Sequence, residues 1–129
     1  MANTDIVNRA YECFNRKDFD GLAAMVAADC SWNVAGPADV PWAGHYEGPD
    51  EVKRYARTLS DRVHFETFAP KSFIEQGDTV IVCGSEKAVV NDTGKDYTSL
   101  WAHVFTIRDG KIAYFQEYGD TAEIEQAVR

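Results

Sequence analysis

Apolar residues recur every three or four positions over residues 4–16, which puts Ile6, Val7, Ala10, Tyr11 and Phe14 on one helical face, with Asn3 or Thr4 free to cap it. "NRKD" breaks that run. A second short helix is expected over "FDGLAAMVAAD", residues 19–29, with Phe19, Leu22, Met25 and Val26 inward. "CSWNVAG" then alternates as a short strand, with Trp32 and Val34 on one side. Residues 36–49 hold three prolines and three glycines, too many for a regular element, so a loop is expected there. Pro49 suits the first turn of a third helix, "PDEVKRYARTLSDR", with Val52, Tyr55, Ala56 and Leu59 inward.

From residue 63 onward the period shortens to two. "VHFETFAPKSFIEQ" reads as a strand bent near Pro70, and "GDTVIVCGSEKAVV" follows across a Gly-Asp turn. After the turn "NDTGKD" come "YTSLWAHVFTI", the turn "RDGK" and "IAYFQEYGD". Helix, helix, strand, helix and four antiparallel strands make an α+β layer packing. With no repeat or linker to divide it, residues 1–129 form a single domain.

The last hairpin carries the chemistry. Trp101, His103, Phe105 and Ile107 share one face of its first strand, and Ala113, Phe115 and Glu117 share one face of its second. A two-residue Asp109-Gly110 turn sets His103 beside Gln116. A three-residue loop sets His103 beside Phe115 and Trp101 beside Glu117. The second is favoured, because it gathers Trp101, Phe105, Ile107, Ala113 and Phe115 on one apolar face with His103 and Glu117 inside it; "RDGK" itself suits both. An inward carboxylate without a partner costs several kcal/mol, so Glu117 there needs a partner, a raised pKa or a wet cavity.

Composition narrows the classes of function. Seven Phe, six Tyr and three Trp supply bulky walls for a core or an apolar cavity. A formal charge of −8 disfavours nucleic acid and anionic membrane surfaces as partners. The start of the chain lacks a signal-peptide pattern, and no apolar run approaches the ~20 residues that span a bilayer, so a cytoplasmic chain is expected. Cys13, Cys30 and Cys83, odd in number and without C-x-x-C spacing, read as reduced thiols. His45, His64 and His103 show no metal-binding spacing and no Gly-rich phosphate loop occurs, so no metal or nucleotide cofactor is expected.

"WAHVFTIRDGKI" followed by "EYGDT", the paired helices of "AYECFNRKDFDGLAAMVAADCSW" and the G-x-Y-x-G in "VPWAGHYEGPDEV" resemble the SnoaL-like proteins of the nuclear transport factor 2 and ketosteroid isomerase superfamily. The resemblance covers residues 5 to 125. It implies a cone: a strongly curved antiparallel sheet around three N-terminal helices, an apolar pocket between them, and dimers through the outer sheet face. Members include isomerases, polyketide cyclases and epoxide hydrolases, and others that only bind, so the fold leaves the chemistry open. An ungapped alignment puts the isomerases' helix-one Tyr on Ala10, with Tyr11 one position off, their base on Val34 and their oxyanion Asp on His103. The epoxide hydrolases' Asp-Arg-Asp set lacks its inward Arg, since Arg108 lies in the turn. The cyclases match better, their base Asp falling on Asp120 with a helper His compatible with His103.

His103, Glu117 and Asp120 are thus the catalytic candidates, each with an alternative: a core histidine, a surface carboxylate, and an N-cap for "TAEIEQAV". Phe14, Trp32, Val34, Trp42, Tyr46, Tyr55, Trp101, Phe105 and Phe115 are the candidate ligand-binding residues, with Trp42, His45 and Tyr46 either a lid or a loop pinned by its own aromatics. The expected function is cofactor-independent acid–base chemistry of isomerase, cyclase or lyase type on a small hydrophobic molecule; the alternative is a non-catalytic binding or accessory protein using the same pocket. Ala102, Val104, Thr106, Tyr114 and Gln116 form the uncharged outer face through which a homodimer is expected.

Overall fold

A computed structural model describes residues 2–129. Helices α1 (Asn3–Asn15), α2 (Phe19–Ala24) and α3 (Gly48–Arg62) pack with one six-stranded sheet: β1 (Val26–Val34), β2 (Gly44–Glu47), β3 (Val63–Gln76), β4 (Thr79–Val90), β5 (Asp96–Arg108) and β6 (Lys111–Tyr118). A fourth helix, α4 (Thr121–Val128), closes the chain. The strand order is β2-β1-β6-β5-β4-β3. Every junction is antiparallel except β1 against β6, which is parallel, so the sheet is mixed rather than wholly antiparallel.

Three local expectations change. Helix α2 stops at Ala24 because Val26 and Ala27 are taken up by β1, whose start pairs with Ile112 of β6. The Pro- and Gly-rich segment contains strand β2, which pairs Tyr46 with Trp32. Ala2, not Asn3 or Thr4, stands at the N-cap of α1, and Thr4 is drawn off by Glu75, whose carboxylate accepts from its backbone N–H and hydroxyl.

Register shifts near Phe65, Pro70, Val26 and Thr106 interrupt the ladders. Such bulges bend and twist strands, and here they let long strands curl around the helices. Gly84 is needed at the β3–β4 crossing, because a Cβ there would lie 2.4 Å from the Ala69 carbonyl oxygen and 2.5 Å from the Trp101 ring. The core runs between the concave sheet face and the inward faces of α1 and α3, with Val7, Val52, Ala56, Val80 and Val82 fully buried. Among the described residues no helix is long and apolar enough to cross a membrane.

Candidate functional site

The hairpin follows neither expected register. Asp109 and Gly110 form a two-residue turn with φ of 53° and 75°, the left-handed pair that a type I′ turn requires. A bulge then adds one residue to β6: Ile107 pairs with Ile112, but Thr106 pairs with Tyr114, leaving Ala113 unmatched. Beyond the bulge Phe105 faces Phe115 and His103 faces Glu117. The inward grouping survives because the bulge shifts the pairing by one, restoring the face that a plain two-residue turn would have reversed.

Both side chains line a cavity of about 70 Å³ enclosed by the sheet and the helices. Its walls are aromatic. Of the candidate ligand-binding residues, Phe14, Trp32, Trp42, Tyr55, Phe105 and Phe115 line it, Trp32 stacking on Phe115 with ring centroids 4.0 Å apart. Val34, Tyr46 and Trp101 do not. Val34 is buried beside Glu117 across the parallel β1–β6 pair, and Tyr46 is buried with its hydroxyl donating to the Trp42 carbonyl at 2.8 Å. Trp101 sits one layer out, stacked between His103 (4.0 Å) and Phe68 (5.0 Å). Segment 36–47 is therefore pinned by its own aromatics while Trp42 reaches the cavity, and His45 points outward to Asn33 and Glu47.

His103 is only 6 % exposed. Its Nδ1 lies 2.8 Å from the Tyr11 hydroxyl, and its Nε2 lies 3.8 Å from Glu117 Oε2. Burial pulls the imidazole down to about 3, so it is neutral. Burial first and Glu117 second hold the Tyr11 phenol protonated. We therefore assign the phenol as donor to Nδ1, which leaves the ring proton on Nε2, on the side of Glu117. Burial, with Glu86 as the lesser cause, pushes Glu117 up to about 8. Of the three ways to accommodate an inward Glu117, the structure shows a raised pKa: a neutral imidazole stands beside a carboxyl that titrates near neutrality.

The partner that perturbs Glu117 is a residue the sequence reading missed. Glu86 of β4 also lines the cavity; burial lifts it to about 7 against the opposing hydrogen bond from the Tyr97 hydroxyl to its Oε2, 2.8 Å long. Its signal was present in the alternation of β4, where Val80, Val82, Gly84, Ala88 and Val90 all point inward with it. Tyr11 was also passed over, and it turns into the cavity although it stands one position from the aligned Ala10. Tyr55 is 5 % exposed, lines the cavity and has no hydrogen-bond partner among the described residues, which leaves its hydroxyl free for a ligand.

Asp120 does not reach this cavity. It is exposed and caps α4, its carboxylate accepting from the Glu123 N–H at 3.2 Å while its own N–H donates to the Ser99 hydroxyl at 2.8 Å. It lies in a neighbouring surface depression that shares only Glu86 with the cavity. Arg108 is likewise outside, paired with Asp29. Among the described residues no group of three His, Cys, Asp or Glu is placed to hold a metal ion.

The sequence profile of the SnoaL-like domain matches residues 7–115. The chain belongs to the SnoaL-like family. Among solved structures, the nuclear transport factor 2-like protein of Burkholderia xenovorans LB400 superposes with a TM-score of 0.91 at 28% identity, over 98% of this chain and 95% of its own. A nuclear transport factor 2-like protein of Burkholderia thailandensis E264 gives 0.88 at 30% identity, over 100% of this chain and 98% of its own. TerC, co-crystallised with polyporic acid, shares the fold with a TM-score of 0.83 at 24% identity, over 98% and 97%. No curated protein sequence matches the chain. In this SnoaL-like domain the cone is retained, and its interior is furnished with two glutamates, a neutral histidine and a free phenol.

Proposed function

We propose that the cavity binds a compact, largely apolar molecule and moves a proton on it without a cofactor, as an isomerase, cyclase or lyase does. The observation that carries this reading is the pairing of His103 with Glu117 inside an aromatic cavity, where burial brings the carboxyl to about 8. A general acid–base group works best with a pKa near the working pH, and a carboxyl at its ordinary value is nearly always ionised there. Glu117 is the proton-transfer group. His103, fixed by Tyr11 and the Trp101 stack, is the positioning residue that directs its Nε2–H at the carboxylate.

In the reaction class that suits this set, the Glu117 carboxylate takes a proton from carbon next to a carbonyl. The electron pair moves onto the carbonyl oxygen, which accepts a hydrogen bond from the free Tyr55 hydroxyl. Return of the proton to another carbon completes an isomerisation, and loss of a leaving group completes an elimination.

The test is exchange of α-protons for deuterium in small ketones such as cyclopentanone and aminoacetone, followed by proton NMR. Wild-type protein should accelerate exchange of at least one ketone, and Glu117→Gln should lower that rate about 100-fold or more. Equal rates in the two proteins would remove Glu117 from the role. Saturable binding with no exchange by wild type would favour the non-catalytic binding protein.

A further inference from the structure

We infer that the ligand this cavity fits carries a single positive charge, a protonated amine on a compact hydrocarbon body, and that Glu86 is its anchor. The inference rests on the reading above that the cavity is the ligand site. No Lys or Arg lines the cavity, whereas Glu86 and Glu117 both do. The only histidine there, His103, is neutral and already bonded at Nδ1 by Tyr11. A buried carboxylate without a counter-charge is costly, and here the protein supplies none. An ammonium group supplies it.

The remaining walls agree with that charge. Aromatic faces attract cations through their quadrupoles, and Trp32, Tyr55 and Phe115 present such rings around the space. The unpartnered Tyr55 hydroxyl offers an oxygen that can accept from an ammonium N–H. An anion meets the reverse situation: two carboxyls, no compensating cation, and a chain of net charge −8.

Glu86 is the anchor rather than Glu117 for two geometric reasons. Its carboxylate is already held in place by the Tyr97 hydroxyl, which favours the ionised form. It also lines the surface depression that adjoins the cavity, beside Lys87, Ser99 and Asp120, and so stands at the cavity's outer edge. Glu117 is left free for proton transfer. Inside the cavity the groups facing these two carboxyls are Tyr11 from α1, Tyr55 from α3, and Tyr97 and His103 from β5, all neutral near pH 7. On the depression side Glu86 is flanked by Lys87, which pairs with Glu66 at 3.5 Å, and by Asp120.

Three probes of similar shape separate the possibilities: tert-butylammonium, tert-butanol and pivalate, titrated by NMR on signals of the lining residues. At about pH 8 the cation should bind roughly tenfold or more tighter than the alcohol, and pivalate weakest, one tenfold step being about 1.4 kcal/mol. Cation affinity should rise from about pH 6 to 8 as the carboxyls ionise and then level off, while the alcohol shows no such rise. Glu86→Gln should cut the cation's advantage to about threefold or less without weakening the alcohol, and Glu86→Asp should retain it. An alcohol that binds as tightly as the cation, or a cation preference that survives Glu86→Gln, overturns the inference and leaves the cavity reading standing. Binding of none of the three overturns both.

Discussion

Replacing Glu117 by Gln should stabilise the fold above neutral pH and change little in acid. The carboxyl titrates at its ordinary 4.5 in the unfolded chain and at about 8 in the folded one, with burial the main cause and Glu86 the second. Between those values the folded protein keeps a proton that the unfolded chain has released, so stability falls as pH rises. At about 1.4 kcal/mol per pH unit the loss is roughly 3 kcal/mol at neutral pH and roughly 4–5 kcal/mol above about pH 8, where both states are ionised. The side chain is only 17% exposed, so solvent screens little of this. Gln keeps the shape and cannot titrate.

His103 works in the other direction, since its folded value of about 3 lies below the ordinary 6.5. The unfolded chain takes up that proton first, so stability falls as pH drops through this window, in both proteins alike. The difference between variant and wild type therefore reports Glu117 together with its repulsion from Glu86. Urea unfolding followed by tryptophan fluorescence should give a gap below about 1 kcal/mol near pH 5 that widens to several kcal/mol near pH 9. In melting temperature the gap is on the order of 10 °C for a chain of this size. Stability curves that run parallel from about pH 5 to 9 would refute the account of a buried, protonated Glu117.

Asp120→Ala should cost about 1 kcal/mol through loss of the α4 cap and leave ketone exchange within about twofold; a fall of about 100-fold in exchange would restore Asp120 as the base. Tyr11→Phe should cost about 1–3 kcal/mol by leaving His103 Nδ1 buried without its donor, and nitrogen NMR of the ring should report a changed tautomer balance. We propose a homodimer through the outer sheet face, where Val104 and Thr106 are half-buried and Tyr114 and Tyr118 are exposed. Sedimentation at tens of micromolar should show a dimer, and a monomer there removes the proposal.

The alternation of apolar residues was enough to place Trp101, His103, Phe105 and Ile107 on one face of β5, because side-chain direction in a strand is set by its own backbone. The Asp120 cap was readable for the same reason, since an N-cap and its first turn are neighbours in the chain. The position of Glu86 was within reach of the same alternation. What required the folded chain was every choice settled by a distant partner. Val26 and Ala27 left a helical pattern for a strand once β6 offered a pairing edge, and Gly44–Glu47 became β2 because β1 had a free edge. The hairpin shows the division most directly. "RDGK" permits two turns, and the observed pairing of His103 with Glu117 needed a bulge at Ala113 that neither turn contains. That bulge belongs to the sheet: β6 must satisfy β5 on one side and β1 on the other, and local sequence carries no record of that second neighbour. The shifts at Glu86 and Glu117 arise one level higher still, from curvature that closes aromatic walls around two carboxyls far apart in the chain, with no basic residue lining the space between them.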